Sequence, residues 1–473
     1  MLLLQLYIRV KGEVMEQKRE KLSSRIGFIF LSAGCAIGLG NIWRFPYVTG
    51  KYGGGAFVLV YLFFLIILGL PIMVMEFSVG RASRQSVAKS FQVLEPKGKK
   101  WHLFSYMAML GNYLLVMFYT TISGWMLAYF VKMASGEFNG MSTQAVTQTF
   151  VDLQQNPAAS VFWMILVVCI GCFVCVLGLQ NGVEKITKVM MSLLLGVMIV
   201  LVLKSLSLPG AMEGIKFYLI PDFEQLMKNG IFNAVYTAMG QAFFTLSIGM
   251  GGMAIFGSYI DKKRSLSGES LNIMILDTFV AIMAGFIIFP ACMSFGVDAG
   301  SGPGLVFVTL PNIFNAMSNG RIWGSLFFIF MNFAALSTII AVFENIISFG
   351  IDLFWIHKKK KRAYQSVDYY CGQPSLVPWG FSVLSGFQPF GEGSAVLDLL
   401  DFMVSNVIMP IGSIVFLFFC TRRYGWGWKA FINEANAGEG LRFPEKTRYY
   451  VSYILPLIVV FIFLFGLWEK LFA

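Results

Sequence analysis

Apolar residues fill this chain in blocks of about twenty, long enough at ~1.5 Å per residue to cross a bilayer as helices. Ten such blocks run near 26–49, 56–79, 103–131, 160–179, 189–207, 231–257, 272–296, 322–356, 399–420 and 450–470, with polar loops between them. Two blocks are interrupted at mid-depth. The run Ser32-Ala33-Gly34-Cys35-Ala36-Ile37-Gly38-Leu39-Gly40-Asn41-Ile42-Trp43-Arg44-Phe45-Pro46 sets glycines and an asparagine where Leu, Ile and Val would continue a helix. About two hundred residues later, Phe244-Thr245-Leu246-Ser247-Ile248-Gly249-Met250-Gly251-Gly252 does the same. Hydrocarbon cannot hydrogen-bond, so unpaired backbone is tolerated there only where protein or a water-filled cavity satisfies it. Interruptions in corresponding places of two halves point to a carrier's binding site, built from exposed carbonyls and amides.

Composition agrees with the pattern. A chain of 473 residues that is 57% apolar and 13% charged cannot cover itself with a polar surface, and reads as a polytopic membrane protein. The net charge of +11 is no nucleic-acid signal, because the basic residues fall in particular loops rather than on one patch. Lys18, Arg19, Lys21 and Arg25, then 81–100, 262–264, 358–362 and 422–448, alternate with loops nearly free of Lys and Arg. That alternation places the N-terminus in the cytoplasm and the protein in the cell membrane. It also demands a crossing between about 362 and 387, where the polar, proline-interrupted run HKKKKRAYQSVDYYCGQPSLVPWGFSVLSG supplies no apolar span. With it, the helices number eleven. Two explanations compete for 357–386: a divergent helix shielded by its neighbours, or a pair of compensating reading-frame errors. Met1 to Val14 precede a second methionine, Met15, and lack a cleavage site, so a misplaced start is the expected reading of the 1–17 tail.

Little speaks for an enzyme. Cys169, Cys172 and Cys175 have metal-like spacing but lie in an apolar helix without His or carboxylate neighbours, as inert buried thiols do. No nucleophile, metal cluster or His-carboxylate pair sits at one depth.

At this point the motifs GCAIGLGNIWRFPY, GGGAFVLVY, GLPIMVMEFSVGR, GQAFFTLSIGMG and AALSTIIAVFE resemble those of the neurotransmitter:sodium symporters, most closely the bacterial amino-acid transporter branch typified by LeuT. The resemblance covers about 18–355 and 385–470. It implies an all-α fold of eleven transmembrane helices in a LeuT-like 5+5 inverted repeat, with helices 1 and 6 unwound. The first repeat would span 18–207, the second 208–420 including the anomalous ninth-helix region, and 421–473 would hold the last helix with its preceding loop. The implied activity is sodium-coupled symport of hydrophobic or aromatic L-amino acids by alternating access, by a monomer or weak dimer with no nucleic-acid partner. An ion channel or a transporter-like amino-acid receptor without flux are the alternatives; unitary currents would mark the first, absence of flux the second.

The resemblance also implies a site, residue by residue. One sodium would be held by the Ala36 carbonyl, Asn41, Thr245, Asp277 and the substrate carboxylate. A second would be held by carbonyls of Gly34, Ile37 and Ala334 with the hydroxyls of Ser337 and Thr338. Asp277 stands in the apolar stretch ILDTFVAIMAGFIIFP, where a carboxylate is expensive and is by default functional. Chloride-dependent relatives have a neutral residue at that place, and Ala281 stands where the leucine-transporter branch can carry a glutamate, so chloride independence is expected. Gly38 occupies the place of the monoamine carriers' aspartate, so the ligand must bring its own carboxylate. That group would meet the amides of Leu39 and Gly40 and the hydroxyl of Tyr119. Its ammonium would meet carbonyls of Ala36, Phe244 and Thr245, plus Ser247. Leu115, Tyr119, Phe244, Met250, Thr338 and Val342 would line the side-chain pocket, with Met250 a soft wall. Arg44 with Asp401, and Phe244 beneath them, would close the outer side; Arg19 with Asp352, helped by Ser258 and Tyr259, the inner side. Glu76, deep in the second helix, must hydrogen-bond something, and the amides of the first break are its expected partner. Two departures from the family pattern stand out. Gly182 is followed ten residues later by Ser192, not proline, and Leu22 replaces a tryptophan.

Overall fold

The computed structural model describes residues 20–228, 230–297, 304–354, 384, 386–391 and 394–472. Arg19, the 1–17 tail and nearly all of 357–386 therefore lie outside the described residues. Among those described, helices dominate and extended pairing is limited to isolated bridges.

Among the described residues, ten helical units follow one another. Helix α1 comes in two halves, Arg25–Ala36 and Gly40–Lys51, bent by 57°. After it come α2 (Gly55–Ser83), α3 (Trp101–Ser135), α4 (Pro157–Val176) and α5 (Leu179–Leu206). Helix α6 is again two halves, Ile231–Thr245 and Gly252–Tyr259. Then follow α7 (Leu266–Ser294), α8 (Gly320–Leu353), α9 (Val396–Thr421) and α10 (Glu445–Trp468). Eight are single helices long and apolar enough to cross a membrane, α1 makes a ninth as a bent pair, and α6, split into two short halves, does not meet that measure. The predicted spans are thus all present outside the 357–386 region. The last two, α9 and α10, are the ninth and tenth apolar blocks of the sequence.

Both predicted breaks are real. The first half of α1 is capped by Ser24, whose side chain accepts from Gly27 N–H, and it stops where Ile37 turns extended (ψ 101°). In α6 the helix stops after Thr245, and Ser247, Gly249 and Gly251 take positive φ before Gly252 restarts it. Gly249 (φ 97°) is needed twice over. An L side chain rarely adopts that backbone, and a Cβ there would overlap the Met409 carbonyl of α9.

Packing puts the breaks at the centre. Helix α8 runs along α3, α4, α5 and the first half of α1; α7 lies against α5, α1 and α2; and α2 packs along both halves of α6. Around the breaks, Phe45, Ile42, Leu246, Ile248, Phe256 and Ala334 have essentially no exposure. The outer faces of α4, α5 and α10 carry exposed Phe162, Phe173, Leu203, Leu457 and Phe461, as lipid-facing surfaces do.

Candidate functional site

Three polar side chains predicted to share one sodium meet at the first break. Asn41 donates from Nδ2 to Thr245 Oγ1 (2.9 Å) and Asp277 Oδ1 (2.8 Å), and Thr245 donates to Asp277 Oδ2 (2.9 Å). Asn41 Oδ1 accepts from Gly38 N–H (3.1 Å). All three side chains are fully buried. Helix α1 supplies the amide, α6 the hydroxyl and α7 the carboxylate, so the cluster ties both breaks to a continuous helix.

A second oxygen cluster surrounds Thr338 on α8. Its Oγ1 lies 3.1 Å from the Gly34 carbonyl, 3.2 Å from Ile37, 3.4 Å from Ala334 and 3.5 Å from Cys35. Ser337 donates to the Ala334 carbonyl at 2.9 Å. All five residues predicted for the second ion are therefore brought together. The Cys35 carbonyl, which also accepts from Ser247 Oγ (3.1 Å), is an addition.

Between the breaks lies a narrow cavity of about 20 Å³ lined by Cys35, Ala36, Gly38, Gly40, Leu115, Tyr119, Phe244, Ser247, Met250, Thr338, Val404 and Met409. Nine of these were predicted. Leu39 and Thr245 stand behind the wall: Leu39 N–H donates to the Tyr119 hydroxyl (2.8 Å), and Thr245 is held in the Asp277 cluster. Val342 is buried but not in the lining. Cys35, Val404 and Met409 were missed. The α9 pair has no motif of its own and reaches the cavity only through the fold. A side chain at Gly38 would force the pocket to shift, since a Cβ there would overlap the Tyr119 hydroxyl and lie 2.8 Å from Thr338 Oγ1.

Two expectations need correction, the partner of Glu76 and the pairing of Arg44. Glu76 binds the second break, not the first: its Oε1 accepts from Gly251 N–H (2.7 Å) and Gly249 N–H (3.3 Å). The reason is azimuth, because α2 packs against the second half of α6. Arg44 makes no ion pair with Asp401 among the described residues. Its guanidinium lies 4.7 Å over the Phe244 ring, a cation–π contact, while Asp401 accepts from Ser405 one turn along α9 (2.8 Å). Of the inner set, Asp352 accepts from Ser86 N–H (2.6 Å), and Ser258 donates to the Ile255 carbonyl (2.6 Å). The Tyr259 hydroxyl meets Glu344 (2.6 Å) and Ser348 (2.9 Å). Leu22 is partly buried against the core, and Ser192 donates to the Lys188 carbonyl within α5.

Other polar residues hold the breaks in shape. Gln241 donates to the Gly40 carbonyl (2.8 Å). Asn112 donates to the Met250 carbonyl (3.1 Å) and accepts from Asn345 (2.8 Å). Glu184 accepts from Ser23 N–H (2.7 Å), Ser23 Oγ (2.6 Å) and Ser24 Oγ (2.9 Å), pinning the entry of α1 to α5. Their signal was present as lone amides and acids in or beside apolar spans.

Comparison with known proteins decides the family. The profile of the Sodium:neurotransmitter symporter family matches residues 19–152 and 143–471. The chain belongs to that family. It is 36% identical over 453 residues to the sodium-dependent transporter YhdH of Bacillus subtilis (strain 168), covering 95% of this chain and 98% of that one. It is 26% identical over 501 residues to the sodium-dependent serotonin transporter of Drosophila melanogaster, covering 96% and 77%. Among solved structures, MhsT in complex with L-phenylalanine matches with a TM-score of 0.84 and 34% identity, over 95% of this chain and all of that one. The symporter is therefore a multi-pass, sodium-dependent membrane transporter of LeuT-like fold, not an enzyme.

Proposed function

We propose that this symporter couples the inward flow of two sodium ions to uptake of hydrophobic and aromatic L-amino acids, by alternating access and without chloride. The observation that carries the reading is the oxygen cluster at Thr338. A hydroxyl has one proton and can satisfy one carbonyl, so the other carbonyls around it turn partial negative charge on one another in an apolar setting. A small cation answers that surplus. The matching cluster of Asn41, Thr245 and Asp277 would hold the other ion once the Asn41 amide turns its oxygen inward, with the Ala36 carbonyl and the substrate carboxylate. Asp277 brings a fixed negative charge to that place, which supports independence from chloride.

The chemistry of the cavity's lining suits an amino acid. Its carboxylate would meet the first ion, the amides of Leu39 and Gly40, and the Tyr119 hydroxyl. Its ammonium would meet the carbonyls of Ala36, Phe244 and Thr245 and the hydroxyl of Ser247. Leu115, Met250, Val404 and Met409 then offer an apolar wall with two pliable methionines. L-phenylalanine in the related MhsT is in keeping with a large apolar side chain. Phe244 beneath Arg44 would form the outer lid; Arg19 and Asp352 would form the inner gate. The N-terminus would face the cytoplasm in the cell membrane, and the two repeats would span 18–207 and 208–420.

The test is uptake of labelled leucine, tryptophan and tyrosine into proteoliposomes under an inward sodium gradient, with chloride replaced by gluconate. Sodium-dependent accumulation that survives the replacement is expected. Uptake that needs chloride would sink the role given to Asp277, and the absence of sodium-driven uptake by folded protein would sink the whole reading.

A further inference from the structure

Outside the transport pathway, an apolar groove lies between the start of α3 and the end of α9. It is lined by Lys99, Lys100, Trp101, Leu103, Phe104, Met107, Ile411 and Val415, and has a volume of about 480 Å³. Leu103 and Met107 on α3, and Ile411 and Val415 on α9, recur at i and i+4, so each pair forms a strip along one helix face. From Lys100 to Met107 the groove rises ~10 Å along α3, about a third of a ~30 Å hydrocarbon core. Its floor is fixed. Trp101 donates from Nε1 to the Tyr424 carbonyl (2.8 Å), stacks on the Tyr424 ring (5.9 Å between centroids) and meets Phe419 edge-on (5.5 Å).

One end of the groove is cationic. Lys97, Lys99 and Lys100 are all exposed. The carboxylates of this end are otherwise engaged: Glu95 with His102 (2.6 Å), and Glu434 with Arg81 (2.7 Å) and Lys262 (2.8 Å). No ion pair to Lys97, Lys99 or Lys100 occurs among the described residues. We propose that the groove is a binding site for one anionic glycerophospholipid, its phosphate between Lys99 and Lys100 and an acyl chain along Leu103, Met107, Ile411 and Val415. Basic pockets between membrane helices favour such headgroups, and Trp101 sits where aromatic side chains mark the interface. A zwitterionic lipid would fill the apolar part but leave the second lysine unmatched. Free phosphate would leave the apolar strip wet.

The experiment is native mass spectrometry of the delipidated, detergent-purified full chain, titrated with phosphatidylglycerol and with phosphatidylcholine of the same acyl chains. The wild-type protein is expected to prefer phosphatidylglycerol. K99Q/K100Q is expected to weaken that lipid about thirtyfold, the loss for two lysines at an anionic surface, and to bring it level with phosphatidylcholine. Lys446→Gln, an exposed control, should change nothing, and Val415→Trp, which fills the groove, should weaken both lipids. Equal binding of the two lipids by wild type means ordinary lipid contact and overturns the proposal. So does an unchanged K99Q/K100Q, or displacement of the lipid by inorganic phosphate. The lysine changes lie on the exposed surface, so a folding failure of Val415→Trp leaves the comparison of lipids decisive.

Discussion

Thr338→Val is the sharpest probe of the sodium assignment, because valine keeps the shape of threonine and removes only the hydroxyl. That hydroxyl lies 3.1 to 3.5 Å from four backbone carbonyls. As a ligand to a cation it is a polar contact to a charged group, worth ~1.5–3 kcal/mol. Its loss should therefore raise the sodium concentration for half-maximal uptake by roughly tenfold to 150-fold, at about 1.4 kcal/mol per decade. The same change removes a buried donor, so folded-state stability should fall by about 1–3 kcal/mol. The assay is labelled-leucine uptake into proteoliposomes across a sodium series, with leucine held saturating so that Thr338's place in the cavity wall does not mask the effect. Sodium dependence should also become less steep, since one of two ions binds poorly. Thr338→Ser restores the oxygen and should behave nearly as wild type. A Thr338→Val protein with unchanged sodium dependence, or a Thr338→Ser protein as impaired as the valine, would refute the reasoning.

Three further outcomes are expected. Asp277→Asn should weaken sodium dependence and make uptake respond to chloride, seen by comparing chloride with gluconate buffers; equal uptake in both, at wild-type sodium affinity, would count against the charge argument. Gly38→Ala puts a methyl onto the Tyr119 hydroxyl and should abolish substrate binding in a scintillation proximity assay, whereas full-affinity binding would show that the cavity is not the substrate site. Cys35 lines the cavity, so a small methanethiosulfonate reagent should inhibit uptake, with saturating leucine protecting and Cys35→Ser insensitive; inhibition indifferent to leucine would place the sensitive thiol elsewhere.

What could be read in advance depended on whether a residue's partner lies on its own helix or across the bundle. The two breaks announced themselves locally, through glycines in apolar spans, and both stand where expected. Asp277 was legible because any carboxylate at that depth demands a partner, and Asn41 and Thr245 are its partners. Glu76 was legible by the same rule, yet its partner was misassigned: depth in the bilayer follows from position along a span, whereas azimuth follows from packing. Arg44 shows the same limit, its guanidinium taken by the Phe244 ring face rather than by Asp401. Val404 and Met409 carry no local signal and reach the cavity through the fold, with Gly249 letting the second break press against α9 at Met409.

The two breaks differ in a way that favours the first for the proposed ions. At the first, the amides find acceptors close by: Gly38 N–H on Asn41 Oδ1 and Leu39 N–H on Tyr119, with Gln241 occupying the Gly40 carbonyl. The carbonyls of Gly34, Cys35 and Ile37 remain, and Thr338 and Ser247 supply hydroxyl protons toward them. Acceptors outnumber donors, and in a setting without water that imbalance is costly unless a cation resolves it. At the second break the imbalance is reversed. The amides of Gly249 and Gly251 converge on one point, and the chain answers them with its own carboxylate, Glu76, while Asn112 takes the Met250 carbonyl. A break whose surplus donors already have a built-in anion has no call for an ion. A break with surplus carbonyls does, and the same ion that completes it can leave when α1 and α8 part, because Thr338 and Ala334 belong to one helix and Gly34 and Ile37 to the other.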